Sequence, residues 1–185
     1  MRVFASELSC LLNENGSPAA PEDVRLTPRE RLRIMVLVGL PGSGKSTWVA
    51  RQGATALSSD TIRQWLADDE TDQTIHYRVF LTLRYLLRHR LALGRPVTYI
   101  DATNLTPDER RPYLEIGRVF QCDVEAIFFD VPVEVCLDRN SRRARVVPSD
   151  AMEKMALKLV PPRLEEGFTR ITVLQEAAGQ PSRGD

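Results

Sequence analysis

Between Gly39 and Ser46 the chain reads Gly-Leu-Pro-Gly-Ser-Gly-Lys-Ser, and no other stretch limits the fold as strongly. Gly39, Gly42 and Gly44 allow the backbone to curl with successive N–H groups pointing inward, and they leave no side chain to obstruct an approaching anion. A lysine and a hydroxyl residue follow at once, in the order that sets an ammonium and a metal-binding oxygen beside a bound phosphate chain. The flanks fit this reading. Leu32 to Val38 is almost continuously apolar, as a strand covered on both faces should be, and Ser46-Thr47-Trp48-Val49-Ala50-Arg51 can begin a helix whose N-terminus faces the phosphate. Gly39, Pro41, Gly42, Ser43, Gly44, Lys45, Ser46 and Thr47 are therefore expected to hold a nucleotide. Lys45 would bridge its β- and γ-phosphates, and the Ser46 hydroxyl would ligate Mg²⁺. No Asn-Lys-x-Asp or Thr-Lys-x-Asp follows to read guanine, so ATP is the expected donor. Trp48 reads as core packing rather than a base-stacking platform.

Short apolar runs alternate with helical patterns beyond this loop. Thr55 to Ser58, Val97 to Asp101, Val124 to Asp130 and Arg170 to Leu174 read as strands. Thr61 to Ala67 reads as a helix, and Ile75, Val79, Leu83, Leu86 and Leu87 give a second its apolar stripe. Thr106-Pro107-Asp108-Glu109 opens a third: Thr106 can cap, Pro107 suits the first helical position and Glu109 completes a capping box. The alternation predicts an α/β fold with a mostly parallel sheet flanked by helices. Residues 1–31, rich in turn-forming composition, are expected to form a loosely packed arm, residues 32–175 the domain, and residues 176–185 a flexible tail.

Twenty-five basic and twenty-five acidic residues cancel, so any polyanion site must be local. The candidate is Arg139, Arg142, Arg143 and Arg145, opposed only by Asp138. No apolar run approaches the ~20 residues that cross a bilayer, no membrane partner is expected, and with no leader pattern the expected compartment is the cytoplasm. Cys10, Cys122 and Cys136 lack metal-ligand spacing and read as buried thiols.

In open parallel sheets ligands gather at the carboxyl ends of the strands. Asp60 and Arg63 lie there, three residues apart at a helix start, so both can meet one substrate. Asp60 could take the proton of an acceptor hydroxyl; its rival role is a helix N-cap. Asp101-Ala102-Thr103-Asn104 ends the next strand, where Asp101 can join the Mg²⁺ shell and Thr103 and Asn104 can hydrogen-bond substrate. Arginines near 140 could close as a lid on the transferring phosphate. The acidic run Asp68, Asp69, Glu70, Asp72 reads as a solvated helix edge, and His76 and His89 as non-catalytic.

Together, the loop with Trp48, Ser58-Ser59-Asp60 with Arg63, Asp101 to Asn104 followed by Arg110-Arg111, and Phe129-Asp130-Val131-Pro132 followed by Arg139-Asn140-Ser141-Arg142-Arg143 resemble the polynucleotide 5′-hydroxyl kinase family. The likeness runs from about Ile34 to Leu174 and is to the kinase domain of bacterial polynucleotide kinase-phosphatases and to the phage end-healing kinase. It implies an adenylate-kinase-type P-loop fold with an Arg-bearing lid. It further implies that Lys45 and Ser46 serve ATP and Mg²⁺, that Asp60 is the general base, that Arg63 contacts the scissile phosphate at the acceptor end, and that Arg139 and Arg143 clamp the ATP phosphates. The implied acceptor is a 5′-hydroxyl end of DNA or RNA, in end healing. The segment at Asp101 is shifted by one residue from the phage form. Family members often carry a phosphatase, or a phosphatase and a ligase, after the kinase, which leaves a separate phosphatase or ligase as one candidate partner. Two rival readings stand beside this one: a kinase of a small metabolite or nucleotide sugar, and a nucleotide-hydrolysing switch, which would not need the Asp60–Arg63 pair.

Overall fold

The computed structural model of the protein describes residues 31–143 and 145–175. The arm and tail expectations for 1–30 and 176–185, and Cys10, lie outside the described residues. Five strands, β1 (Arg33–Val38), β2 (Ala56–Ser58), β3 (Val97–Asp101), β4 (Asp123–Asp130) and β5 (Arg170–Gln175), form one sheet in the order β2-β3-β1-β4-β5. All four pairings are parallel. The central β1 explains its own composition. Ile34, Val36 and Val38 face one core with Leu83, Leu87 and Tyr113, while Met35 and Leu37 face another with Val49, Ile127 and Phe129. Burial on both faces removes the polar alternation of a half-exposed strand.

The crossovers are helical: α1 (Lys45–Arg51), α2 (Ser59–Ala67), α3 (His76–Ala92), α4 (Pro107–Phe120), α5 (Val133–Ser141) and α6 (Ser149–Lys158). Ser58, the last residue of β2, caps α2 by accepting from the Thr61 N–H at 3.4 Å. At α4, Thr106 accepts from Glu109 N at 3.3 Å, but the Glu109 carboxylate reaches Leu105 N at 2.7 Å, one residue before the expected reciprocal partner. The sequence reading did not include α6. It packs Met152 and Met155 against Leu40, Leu105 and Cys136 in a small third core.

The acidic run is not a helix edge. Asp68 ends α2 at a left-handed φ of 55°, after which Asp69 accepts from Thr71 and Asp72 from Thr74, each through backbone N–H and hydroxyl. Short carboxylates that bond two residues onward favour such turns over continued helix. Cys136 is buried and Cys122 half-buried. Among the described residues no helix is long and apolar enough to cross a membrane.

Candidate active site

The phosphate-binding loop leaves β1 at its carboxyl end, beside the end of β3, where Gly39 N donates to Thr103 O at 3.0 Å. Gly39, Gly42 and Gly44 all carry positive φ, at 152°, 82° and 96°. A Cβ on Gly42 would sit 2.4 Å from the carbonyl oxygen of Cys136, so the loop touches the backbone of α5 there. Around Gly44 nothing lies within 4 Å of that position, which leaves room for a ligand against the loop's N–H groups.

Lys45 heads α1 and lies under the loop. Its Nζ donates to Gly39 O at 2.8 Å and Leu40 O at 2.7 Å. Burial lowers its ammonium to about 8, against a partial upward pull from Asp101. Next to it, the Ser46 hydroxyl donates to Asp101 Oδ2 at 2.7 Å, across the gap between α1 and the tip of β3. This pair of hard oxygen donors suits Mg²⁺, which takes one or two protein oxygens and completes its octahedron with water and phosphate. No cluster of three or more His, Cys, Asp or Glu side chains that could hold a metal occurs among the described residues. The donors present therefore fit a cation that arrives with a nucleotide.

Lys45, Ser46 and Asp101 open onto a cleft of about 780 Å³ that also takes in Thr47, Thr103, Asp60, Arg63, Arg139, Arg143 and Arg145. Asp60, in the first turn of α2, is not the cap, because Ser58 fills that position. Its carboxylate instead receives Arg63 at 2.8 Å and Arg145 at 3.1 Å. Arg63 is 3% exposed. Its other guanidinium contact is Glu70 O at 3.5 Å, and its Nε has no partner.

The structure thus gathers nearly all the residues singled out in the sequence around one cleft. Asn104 and Gly39 are the exceptions. Asn104 is buried at a left-handed φ of 49°, and its amide donates to Leu37 O at 2.7 Å, so it clips the end of β3 to β1 instead of facing substrate. Gly39 shapes the turn behind the cleft wall. Trp48 packs edge-to-face on Tyr99 and Phe129, with centroids 6.0 and 6.2 Å away, while its outer side lines the cleft. The sequence marks Arg145 only as one member of the arginine cluster. Its membership of that cluster was legible, whereas its partner, the Asp60 carboxylate on another element, was not.

The sequence profile of a family described as an AAA domain matches residues 34–162. Among curated proteins, the Arabidopsis thaliana transcription factor bHLH140 is 26% identical over 174 residues, covering 86% of this chain and 18% of that protein. The bifunctional polynucleotide phosphatase/kinase of Schizosaccharomyces pombe is 24% identical over 151 residues, covering 77% and 33%. The chain thus spans a third or less of the length of either relative. Among solved structures, the Pnkp1/Rnl/Hen1 RNA repair complex contains a chain that superposes with a TM-score of 0.59 at 25% identity, covering 70% of this chain and 44% of that one. The sheet order, the phosphate loop and these likenesses agree: the chain belongs to the AAA domain family and is a polynucleotide-kinase-like P-loop domain.

Proposed function

We propose that this domain transfers the γ-phosphate of ATP to the 5′-hydroxyl end of DNA or RNA. The observation that carries the reading is the Asp60 carboxylate, relieved of capping by Ser58 and turned into the cleft that Lys45 and Ser46 share. A nucleotide switch has no use for such a group, whereas a kinase needs one to orient an acceptor hydroxyl. The acceptor oxygen bonds to the γ-phosphorus as the bond to the β–γ bridging oxygen breaks; its proton passes to Asp60 and ADP leaves. Lys45 holds the β- and γ-phosphate oxygens, and the guanidinium groups of Arg139 and Arg143 neutralise charge from the lid side. Ser46 and Asp101 would hold Mg²⁺, which would supply further charge neutralisation. Most of the acceleration then comes from positioning and preset charge.

The phosphate loop and Asp101 would serve any kinase, so the acceptor must be argued from the other wall. Arg63 is buried with an unpartnered Nε, and a buried donor without an acceptor is costly. A phosphate beside the terminal nucleoside would complete its set. A polynucleotide carries that phosphate, and the fission-yeast relative is named a polynucleotide phosphatase/kinase. The test is incubation with γ-labelled ATP and a panel of 5′-hydroxyl oligonucleotides, nucleosides and sugars. Label is expected on oligonucleotide 5′ ends; label entering small molecules alone would replace this reading with a metabolite kinase, and ATP hydrolysis with no labelled acceptor would leave a switch.

A further inference from the structure

The solvent side of α3 carries none of the machinery described so far. The helix buries Val79, Leu83, Leu87 and Leu91. Opposite them stand Tyr77, Leu81 and Tyr85, which are 72%, 49% and 60% exposed. Their i, i+4, i+8 spacing aligns them in one stripe. Arg78 and Arg88 are exposed beside it and form no ion pair among the described residues. Over its 17 residues α3 holds four arginines, two histidines and no aspartate or glutamate. One exposed apolar side chain means little, but an aligned row flanked by cations on an acid-free helix marks a surface for an anionic partner with flat apolar groups.

The N-terminal end of α3 borders the cleft, one face round from the stripe. His76 and Phe80, in the first turns of α3, line the cleft with Asp60 and Arg63, and their rings lie 4.7 Å apart at 44°. Further along, Tyr85 and His89 pair at 4.3 Å. Rings therefore recur along the helix, which at 1.5 Å per residue extends about 25 Å from the cleft.

We infer that α3 is the track along which a single-stranded acceptor lies. With its 5′ end at Asp60, the nucleotides that follow stack bases on Tyr77 and Tyr85 across Leu81, and Arg78 and Arg88 meet their phosphates. The inference rests on the polynucleotide reading above and adds the surface that reading lacks. Stacking on aromatic rings is tolerant of sequence, because every base has a π-face, and arginine adds both phosphate neutralisation and ring contact. A duplex keeps its bases in its own stack, and a mononucleotide ends inside the cleft. The track therefore favours single strands of about four nucleotides or more.

The test compares two double variants, Y77A/Y85A and R78Q/R88Q, with the unaltered chain, using saturating ATP and either a 5′-hydroxyl single strand of about 12 nucleotides or a nucleoside 3′-monophosphate. The unaltered chain should have the lower KM for the strand. Each double variant should raise that KM about 10-fold, while the KM for the 3′-monophosphate and the melting temperature stay unchanged. R78Q/R88Q should also flatten the fall of strand affinity with log salt by about one to two phosphate contacts. An unchanged strand KM in both variants would overturn the track and leave the polynucleotide reading standing. Equal KM values for strand and mononucleotide in the unaltered chain would do the same, and so would altered sedimentation without altered strand KM, which would assign the face to self-association. Failure of the unaltered chain to phosphorylate any strand would remove the polynucleotide reading itself, and the track with it.

Discussion

Asp60 is the residue on which the reaction class turns. The variant Asp60→Asn keeps shape and hydrogen-bonding capacity, and Ser58 continues to cap α2. Transfer should fall by roughly 10²-fold or more, the scale of a positioned acid or base, in single-turnover measurements with ATP affinity retained. Because the Asp60 carboxylate is the charge partner of buried Arg63, stability should also fall, by about 1–3 kcal/mol. Transfer at the unaltered rate would make Asp60 structural. Lys45 supports a second prediction, in pH. Its folded pKa of about 8 lies below the ordinary lysine value of 10.5, so above pH 8 the free protein increasingly holds a neutral amine that cannot grip phosphate. ATP affinity should weaken by up to about tenfold per pH unit above 8. Folding responds in the opposite sense. Between the two pKa values the unfolded chain binds more protons, so the Lys45 contribution makes stability rise with pH through that window, and below pH 8 the penalty for burying the charge is present in full. Lys45→Met should abolish ATP binding and remove this part of the rise. Titrations of ATP binding and of thermal stability from pH 7 to 10.5, on both proteins, check the pair.

At the scale of elements, the phosphate loop and α5 meet through a glycine. Gly42 has φ 82° and stands where a Cβ would fall 2.4 Å from Cys136 O, backbone that cannot turn aside, whereas Gly44 has φ 96° and open space around it. Gly44→Ala should cost only the left-handed conformation, about 1–2 kcal/mol, yet should weaken ATP binding because the methyl enters the phosphate's space. Gly42→Ala should cost a further 1–3 kcal/mol, roughly the penalty of overpacking, by forcing α5 away. Thermal unfolding distinguishes them, and equal losses would mean that the contact with α5 is slack. The strand pattern, the Thr106 cap and the apolar stripe of α3 were readable because they depend on neighbours within a turn or a strand. The extra helix α6 was not, because its burial depends on Leu40 and Leu105, far away in sequence. Nor was the use of the acidic run for two turns, since Asp and Thr supply turn or helix edge equally well until the ends are fixed.

Across the whole molecule, Arg110 joins more segments than its place in the sequence suggests. It is fully buried in α4. Its Nε and Nη2 reach Glu166 at 2.8 and 2.7 Å, and its Nη1 reaches the carbonyls of Asn104, Leu105 and Val160 at 3.0, 3.1 and 3.0 Å. One guanidinium thus ties the turn after β3, the chain after α6 and the 3-10 turn Leu164–Glu166 before β5. Arg110→Met would leave Glu166 and three carbonyls without their donor, a loss of about 3–5 kcal/mol and a melting temperature lower by about 10 °C. Arg110→Lys should recover little, since an ammonium cannot reproduce the fork; full stability in either variant would show the tie to be dispensable. The sequence alone was sufficient for the phosphate loop, the parallel α/β alternation and the clustering of Lys45, Ser46, Asp60, Arg63 and Asp101 at strand ends, because glycine spacing and apolar period are local and a parallel sheet presents its carboxyl ends together. Only the tertiary structure decided that Arg145 reaches Asp60, that Asn104 serves the fold and not the cleft, that Arg110 is a structural tie, and that the acid-free helix α3 starts at the cleft edge. In each case the deciding partner lies many residues away along the chain or on another element, and a side chain's chemistry does not reveal which distant carbonyl, carboxylate or open surface folding will set beside it.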